Sequence, residues 1–182
     1  KITAMVRAAG AVSCVDGVSY APHGLPNVAE LGADIYLFSS YKTYGPHQGV
    51  MVVARALAER LPNQGHDFNG DSLTKKFTPA GPDHAQIAAC TGIKDSFDAV
   101  AAHHGCQSQI PVERGVVVHD LFREAEQRLL QTVLDYFSAQ NNARVLGPLG
   151  ALTRAPTGAV PLPAPGAVGA GGQRGNAVMA GD

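Results

Sequence analysis

Residues 11–54 read AVSCVDGVSYAPHGLPNVAELGADIYLFSSYKTYGPHQGVMVVA, and this stretch decides the fold. Three apolar runs rich in β-branched residues, 11–20, 34–40 and 49–54, predict buried strands. The connection between the first two contains a short helical stretch that ends near Gly32, and it is long enough for a parallel crossover. The pattern therefore predicts an α/β fold in which two neighbouring strands run parallel.

Helical segments follow the third run. Residues 56–61 predict a short helix that Pro62 stops. Residues 63–83 are polar, contain several glycines and prolines, and form a long excursion of the kind that often carries function. Helical patterning resumes at Asp83, which can cap a helix, and it continues after Gly92.

A long amphipathic helix is predicted from about Val117 to Gln140. Its apolar residues recur at every fourth position, and we expect them to form one buried stripe. The members of this stripe are Leu121, Ala125, Leu129, Val133 and Phe137. Residues 143–148 predict the opening strand of a further small α/β unit. The tail beyond them is rich in glycine and proline, so it is expected to be either disordered or an incomplete domain.

Bulk properties exclude several classes of protein. Apolar residues make up 45% of the chain and the formal net charge is −1, which argues against disorder and against an electrostatic hold on nucleic acid. No apolar run is long enough to span a membrane, and the three widely spaced cysteines do not suggest a disulfide framework. We expect a cytoplasmic protein, and the start at Lys1 instead of Met suggests a fragment.

The residues that carry chemistry lie between Asp16 and Lys42. Asp16 is near the end of one predicted strand, and Lys42 lies just past the end of the next, directly after the hydroxyls of Ser39 and Tyr41. Ligands of α/β proteins bind where such strand ends meet. A lysine amine there can condense with an aldehyde, and a carboxylate can keep an aromatic nitrogen protonated. The alternative is that Asp16 caps a turn and Lys42 is an ordinary solvated lysine.

A family resemblance favours the first interpretation. The strings VDGVSYAPH (15–23) and LGADIYLFSSYKTYGPHQG (31–49) resemble the cofactor-binding core of the class V aminotransferase family. That family of fold-type-I pyridoxal 5′-phosphate (PLP) enzymes includes cysteine desulfurases. Its lysine motif, Ser-x-His/Tyr-Lys-x-x-Gly-Pro-x-Gly, corresponds here to residues 39–49, which have one residue more than the motif before the last glycine. The resemblance is strong over residues 1–55 and weaker as far as about Pro148.

Roles for individual residues follow from the resemblance. It implies that Lys42 is the catalytic Schiff-base lysine and that Asp16 pairs with the ring nitrogen of PLP. It also implies that Ser39 and Tyr41 contact the phosphate, with Tyr41 standing where many relatives have histidine. Ser19 replaces a common glutamine that contacts the phenolic oxygen of the cofactor.

One further contact is implied across a dimer. Many relatives have a Gly-Thr-Pro loop that reaches the phosphate bound by the partner subunit. The equivalent here is Ala80-Gly81-Pro82, which lacks the threonine, so Gly81 is kept only as a candidate cofactor-binding residue. The upstream elements that supply an aromatic stacked on the ring, and a C-terminal arginine for a substrate carboxylate, have no counterpart in the chain.

The resemblance also implies a domain plan. Residues 1–115 would be part of a fold-type-I PLP-transferase large domain with a mostly parallel sheet. Residues 116–148 would be the connecting long helix and the start of a small C-terminal α/β domain, followed by the Gly/Pro/Ala-rich tail, 149–182.

The function implied is a PLP-dependent enzyme that acts on a small-molecule amino acid and is a homodimer in its full-length form. An aminotransferase is favoured, because no cysteine is well placed to serve a desulfurase. A cysteine desulfurase or lyase of the same family, and a truncated non-catalytic remnant, remain open. His103, His104 and Cys106 have no recognised zinc spacing and lie upstream of where a persulfide loop would fall, so we expect no metal site there.

Overall fold

The computed structural model describes residues 1–78, 81–163 and 174–179. The chain divides into two compact units, Lys1–Val116 and Val117–Asp182. Each unit is described by itself.

A three-stranded sheet organises the first unit. Its strands are β1 (Cys14–Asp16), β2 (Ile35–Ser39) and β3 (Gly49–Val53), in the order β1-β2-β3. β1 and β2 are parallel, which confirms the predicted crossover, whereas β2 and β3 are antiparallel. The described sheet is therefore mixed instead of mostly parallel, because the connection 40–48 is too short to carry the chain back for a second parallel pairing.

The crossover between β1 and β2 contains a short helix, α2 (Val28–Leu31). The side chain of Asn27 caps it by accepting hydrogen bonds from the N–H groups of Ala29 and Glu30. Gly32 ends it with a φ of 68°, a left-handed conformation that glycine adopts readily. The predicted helix end near Gly32 is confirmed.

Hydrogen bonds between Ser13 and Asp34 fasten the starts of the two parallel strands. The carboxylate of Asp34 accepts from the backbone N–H and from the hydroxyl of Ser13, both at 2.8 Å. These bonds lower the pKa of Asp34, the backbone donor contributing most. Because they join the residues just before β1 and β2, they help to fix the register in which Asp16 pairs with Leu37.

Helices make up most of the remaining structure. None of those described combines the length and the apolar character that a membrane crossing requires. The predicted helices are all present, although the long one begins at Pro111, before the predicted Val117. Besides α2, the helices are α1 (Ile2–Ala8), α3 (Arg55–Arg60), α4 (His84–Ala89), α5 (Thr91–His103) and α6 (Pro111–Ser138).

The polar excursion after α3 folds back onto the end of that helix. Lys76 is only 7% exposed, and its ammonium donates to the carbonyl of Ala58 in the last turn of α3 at 2.9 Å. A cation is favoured there by the unpaired carbonyls of a helix end. The carbonyl of Lys76 in turn accepts from the N–H groups of Gln64 and Gly65, at 2.7 and 3.0 Å. Lys76 therefore anchors this segment.

An ion pair joins α5 to the first turns of α6. The guanidinium of Arg114 binds both carboxylate oxygens of Asp98, at 2.7 and 3.1 Å, and Lys94 binds the same carboxylate at 2.6 Å. These partners, Arg114 first, lower the pKa of Asp98 from 3.8 to about 2. Gly115 and the β-branched residues after it are weak helix formers, so this tertiary contact explains why the helix starts earlier than predicted.

The second unit contains the later part of α6 and a two-stranded antiparallel sheet. Its strands are β4 (Gly158–Pro163) and β5 (Arg174–Met179). The predicted strand at 143–148 is wrong, since only a single bridge, between Leu146 and Ala159, forms there. The structure describes the tail as far as Pro163 and again over β5, and the rest of the tail lies outside the described residues.

The predicted apolar stripe of α6 is only partly buried. Leu134 is 3% exposed although it was not assigned to the stripe, whereas Leu129 is 66% exposed and Val133 39%. A spacing of four residues exceeds the helical repeat of 3.6, so such a row winds around the helix instead of following one face.

Candidate functional site

The candidate site lies at the edge of the sheet where β1 and β2 end. Asp16 is the last residue of β1 and pairs with Leu37 of β2. The N–H of Gly17 continues the ladder by donating to the carbonyl of Leu37 at 2.7 Å. Because parallel strands end at the same edge, Asp16 and the segment that follows Ser39 are brought to one side of the sheet. Alternation along the strands places Asp16, Leu37 and Ser39 on one face.

Asp16 is exposed, and a turn after β1 orients its carboxylate. One oxygen accepts from the N–H of Val18 at 2.9 Å, and the other makes no hydrogen bond to a described residue. The carbonyl of Gly17 accepts from the N–H groups of Tyr20 and Ala21, at 3.0 and 2.8 Å, which closes the turn. One carboxylate oxygen is thus free for a ligand. Ser19, within this turn, is also exposed, and its hydroxyl has no described partner.

Lys42 lies in a 3₁₀ turn, Ser40–Thr43, directly after β2. Its side chain is exposed and forms no ion pair or hydrogen bond within the described part of the chain. The turn itself is firmly held: Thr43 donates to the carbonyl of Ser39 at 2.9 Å, and Ser40 donates to the carbonyls of Pro46 and Gln48, at 2.6 and 3.0 Å. The amino group of Lys42 therefore has no described partner, and it lies on a loop that hydrogen bonds hold in place.

Ser39, three residues before this lysine, has a buried hydroxyl. Its side chain is 8% exposed, and the Oγ atom has no hydrogen-bond partner among the described residues. Leaving such a group unpaired costs about 1–3 kcal/mol, so a ligand that accepts a hydrogen bond from it would be favoured. Tyr36 also has an unpaired buried hydroxyl, but it lies on the other face of β2, beneath Gly17, and burial raises its pKa.

The loop after Lys42 packs against α5. A Cβ atom at Gly45 would lie 2.6 Å from Cδ1 of Ile93, so only glycine fits this approach without a shift. Tyr44 adopts a left-handed φ of 65°, and its ring centroid lies 6.2 Å from that of Phe97. The loop is thus held by the helix behind it as well as by its own hydrogen bonds.

His47 is a neighbour that the motif did not assign to the site. Its imidazole stacks on the ring of Tyr41, with centroids 4.7 Å apart and an interplanar angle of 9°. No periodicity or charge pattern marks this contact. It arises because the hairpin-like loop brings positions 41 and 47 opposite each other.

Two other predicted features lie apart from these groups in the chain. Gly81 is exposed, and a Cβ there would meet no atom within 4 Å, while its neighbour Ala80 lies outside the described residues. His103 is the last residue of α5, and His104 and Cys106 come directly after the helix. The described residues contain no cluster of three or more side chains able to hold a metal ion.

Comparison with known proteins gives a family match over the segment that contains the candidate site. Residues 1–78 match the family model Aminotransferase class-V. The match covers 78 of the 182 residues, so the likeness to class V aminotransferases is established for this segment. The match contains Asp16, Ser19, Ser39, Tyr41 and Lys42, so all the predicted site residues except Gly81 fall within class V sequence.

Individual relatives extend this result. The aminotransferase-like protein FGM3 of Gibberella zeae is 41% identical over 103 residues, which cover 52% of this chain and 26% of that protein. A probable cysteine desulfurase of Treponema pallidum is 38% identical over 63 residues, which cover 34% of this chain and 16% of that protein. The chain therefore spans about a quarter or less of the length of these relatives.

Solved structures support the fold. Pyridoxamine-pyruvate aminotransferase from Mesorhizobium loti superimposes with a TM-score of 0.56 at 20% identity, covering 90% of this chain and 40% of that one. The predicted α/β fold is thereby confirmed.

Proposed function

We propose that this chain supplies the lysine-bearing part of a PLP site in an enzyme that transforms an amino acid, with an aminotransferase reaction as the first candidate. The observation that carries the proposal is the position of Asp16 and Lys42. Asp16 ends β1 and Lys42 follows β2, so both lie at the same edge of the sheet, within the matched segment 1–78. Members of this family use PLP.

The residues present fit this cofactor. When bound, PLP supplies an aldehyde that condenses with a lysine amine and a pyridinium ring that withdraws electrons from the substrate. Lys42 offers an exposed amine without a described partner, and Asp16 has one free carboxylate oxygen. The unpaired buried hydroxyl of Ser39 is a donor suited to a phosphate oxygen.

Each residue would then have a distinct role. Lys42 would hold the cofactor and, once its amine is released by substrate, act as the general base that moves the proton of the substrate's α carbon. Asp16 would keep the ring nitrogen protonated, because a nearby carboxylate favours the charged form of a base. The hydroxyls of Ser39 and Tyr41 would bind the phosphate, and that of Ser19 the phenolic oxygen.

Covalent trapping tests the proposal directly. The protein in its full reading frame is incubated with PLP, reduced with borohydride, digested and analysed by peptide mass spectrometry. We expect the reduced cofactor on Lys42 and its loss in Lys42→Arg, since a guanidinium keeps the charge but does not condense with the aldehyde. Lys75→Arg, at an exposed lysine elsewhere in the class V segment, is the matched control and should retain the label. Labelling that persists in Lys42→Arg would show that the assignment is wrong.

The reaction catalysed can be separated from cofactor binding. A desulfurase needs a thiolate that reaches the substrate sulfur, and Cys106 lies upstream of the position that the family resemblance gives to such a cysteine. We therefore favour amino-group transfer to a keto acid over sulfide release from cysteine. Cofactor trapping without turnover of any amino acid would support the non-catalytic remnant instead.

The quaternary structure and location belong to the same proposal. A homodimer would let the Gly81 loop of one subunit approach the phosphate held by the other, and light scattering of the full-length protein measures this state. A cytoplasmic location remains our expectation.

A further inference from the structure

Tyr41 and His47 form an aromatic pair within the loop of residues 40–48 that contains Lys42. The antiparallel ladder of β2 and β3 ends with Ser39 opposite Gly49, and the N–H of Ser40 extends it by donating to the carbonyl of Gln48 at 2.8 Å. The next pair outward is Tyr41 and His47. Their nearly parallel rings, 4.7 Å apart, are therefore a consequence of how the loop is closed.

This stack orients Tyr41. The tyrosine is 46% exposed, and its hydroxyl makes no hydrogen bond to any described residue. The stack with His47 therefore restricts the direction of the ring. A half-exposed tyrosine without such a neighbour samples several rotamers, and ordering it on binding weakens the complex.

We propose that His47 is a positioning residue that holds the ring of Tyr41 so that its hydroxyl is ready to bind the phosphate of the cofactor. The inference rests on the proposed PLP site. It assigns no chemistry to the imidazole itself: any flat aromatic ring at position 47 should serve, because parallel stacking depends on the ring face.

Comparing the binding of two ligands distinguishes this role of His47 from a general effect of the substitution on the fold. PLP carries the phosphate that Tyr41 would bind, whereas pyridoxal has the same aldehyde and ring without it. Dissociation constants for both are measured on the full-length protein by the absorbance change on binding. In His47→Ala we expect PLP binding to weaken about three- to tenfold, the size expected for one side chain that must be ordered on binding, and pyridoxal binding to stay unchanged.

Further variants test whether aromatic stacking is the cause and whether Tyr41 is the residue that His47 positions. His47→Phe should restore PLP affinity to within about twofold of the wild type, since it keeps the stack. Tyr41→Phe should lose affinity for PLP alone, and adding His47→Ala to it should change nothing more, because the hydroxyl being positioned is already absent. His66→Ala is the matched control: His66 stacks on Phe68 in the same way, at 5.2 Å and 7°, but in the excursion after α3. It should leave both affinities unchanged.

Several outcomes would overturn the inference while leaving the PLP site intact. Equal weakening of PLP and pyridoxal in His47→Ala would indicate a structural role. Failure of His47→Phe to restore binding would indicate that the imidazole contacts the phosphate itself. An undiminished effect of His47→Ala in the Tyr41→Phe background would show that Tyr41 is not the residue being positioned. Failure of the wild type to bind either ligand at Lys42 would remove the proposed function as well.

Discussion

Gly45 offers a quantitative test of how the Lys42 loop is seated on α5. In Gly45→Ala the new methyl group would lie 2.6 Å from Cδ1 and 3.0 Å from Cγ1 of Ile93, and 3.1 Å from the carbonyl oxygen of Ser40. Carbon atoms in contact prefer separations of about 3.5–4.0 Å, so the methyl group intrudes by roughly 1 Å. Overpacking of this kind costs about 1–3 kcal/mol.

The backbone at Gly45 reduces that cost slightly. Its φ does not lie in the left-handed region, so alanine brings no conformational strain and should gain about 0.4–1 kcal/mol by restricting the unfolded chain. The half-buried Ile93 can also shift in part. We therefore expect Gly45→Ala to lower the free energy of unfolding by about 1–2 kcal/mol.

A double-mutant cycle identifies the cause. Ile93→Ala removes both atoms nearest to the new methyl group, so Gly45→Ala in that background should cost no more than about 0.5 kcal/mol, and the coupling energy should be about 1 kcal/mol. The assay is urea unfolding of the full-length apoprotein, followed by circular dichroism. Gly92→Ala is the control, because a Cβ there would meet no atom within 4 Å. Equal costs of Gly45→Ala in the two backgrounds would refute this packing argument.

Two further substitutions test the fold around the site. Gly17→Ala would place a methyl group 2.0 Å from the hydroxyl oxygen of Tyr36, which is 2% exposed. We expect the free energy of unfolding in urea to fall by about 2–3 kcal/mol, and Tyr36→Leu to relieve most of this loss. An equal loss in the wild-type and Tyr36→Leu backgrounds would contradict this explanation. Arg114→Leu should lower the Tm at neutral pH, because the depressed pKa of Asp98 stabilises the fold above its unfolded value of 3.8. This difference from wild type should shrink as the pH falls from about 4 to about 2, and a pH-independent difference in Tm would exclude the ion pair as its cause.

The strands and their order of appearance could be predicted because the signals are local. β-branched runs, a crossover of sufficient length and a glycine at the end of α2 all act within a few residues. The antiparallel direction of β3 was also accessible, since the connection 40–48 is too short for a parallel return. The mostly parallel sheet that the family resemblance implies does not hold for the three described strands.

Burial on the long helix was harder to predict. A row with a spacing of four residues looks like one face in the sequence, yet it turns by about 40° around the helix at each step. Leu129 is consequently exposed while Leu134, outside the row, is buried. The early start of α6 is not predictable from the sequence for a different reason. The ion pair between Arg114 and Asp98 joins residues of two helices, and no local sequence pattern indicates that it will form.

Within the lysine motif, the sequence alone does not indicate which residues hold the loop and which are available to a ligand. Ser40 and Thr43 are both 1% exposed, whereas Tyr41 and Lys42 between them are exposed. In a 3₁₀ turn with three residues per turn, positions i and i+3 point to the same side, so the two hydroxyls face inward together and brace the loop. Tyr41 and Lys42, which are proposed to meet the cofactor, lie on the other side of the turn. Substitutions such as Lys42→Arg and Tyr41→Phe should therefore leave the braces intact, so their effects on binding report the chemistry of the site.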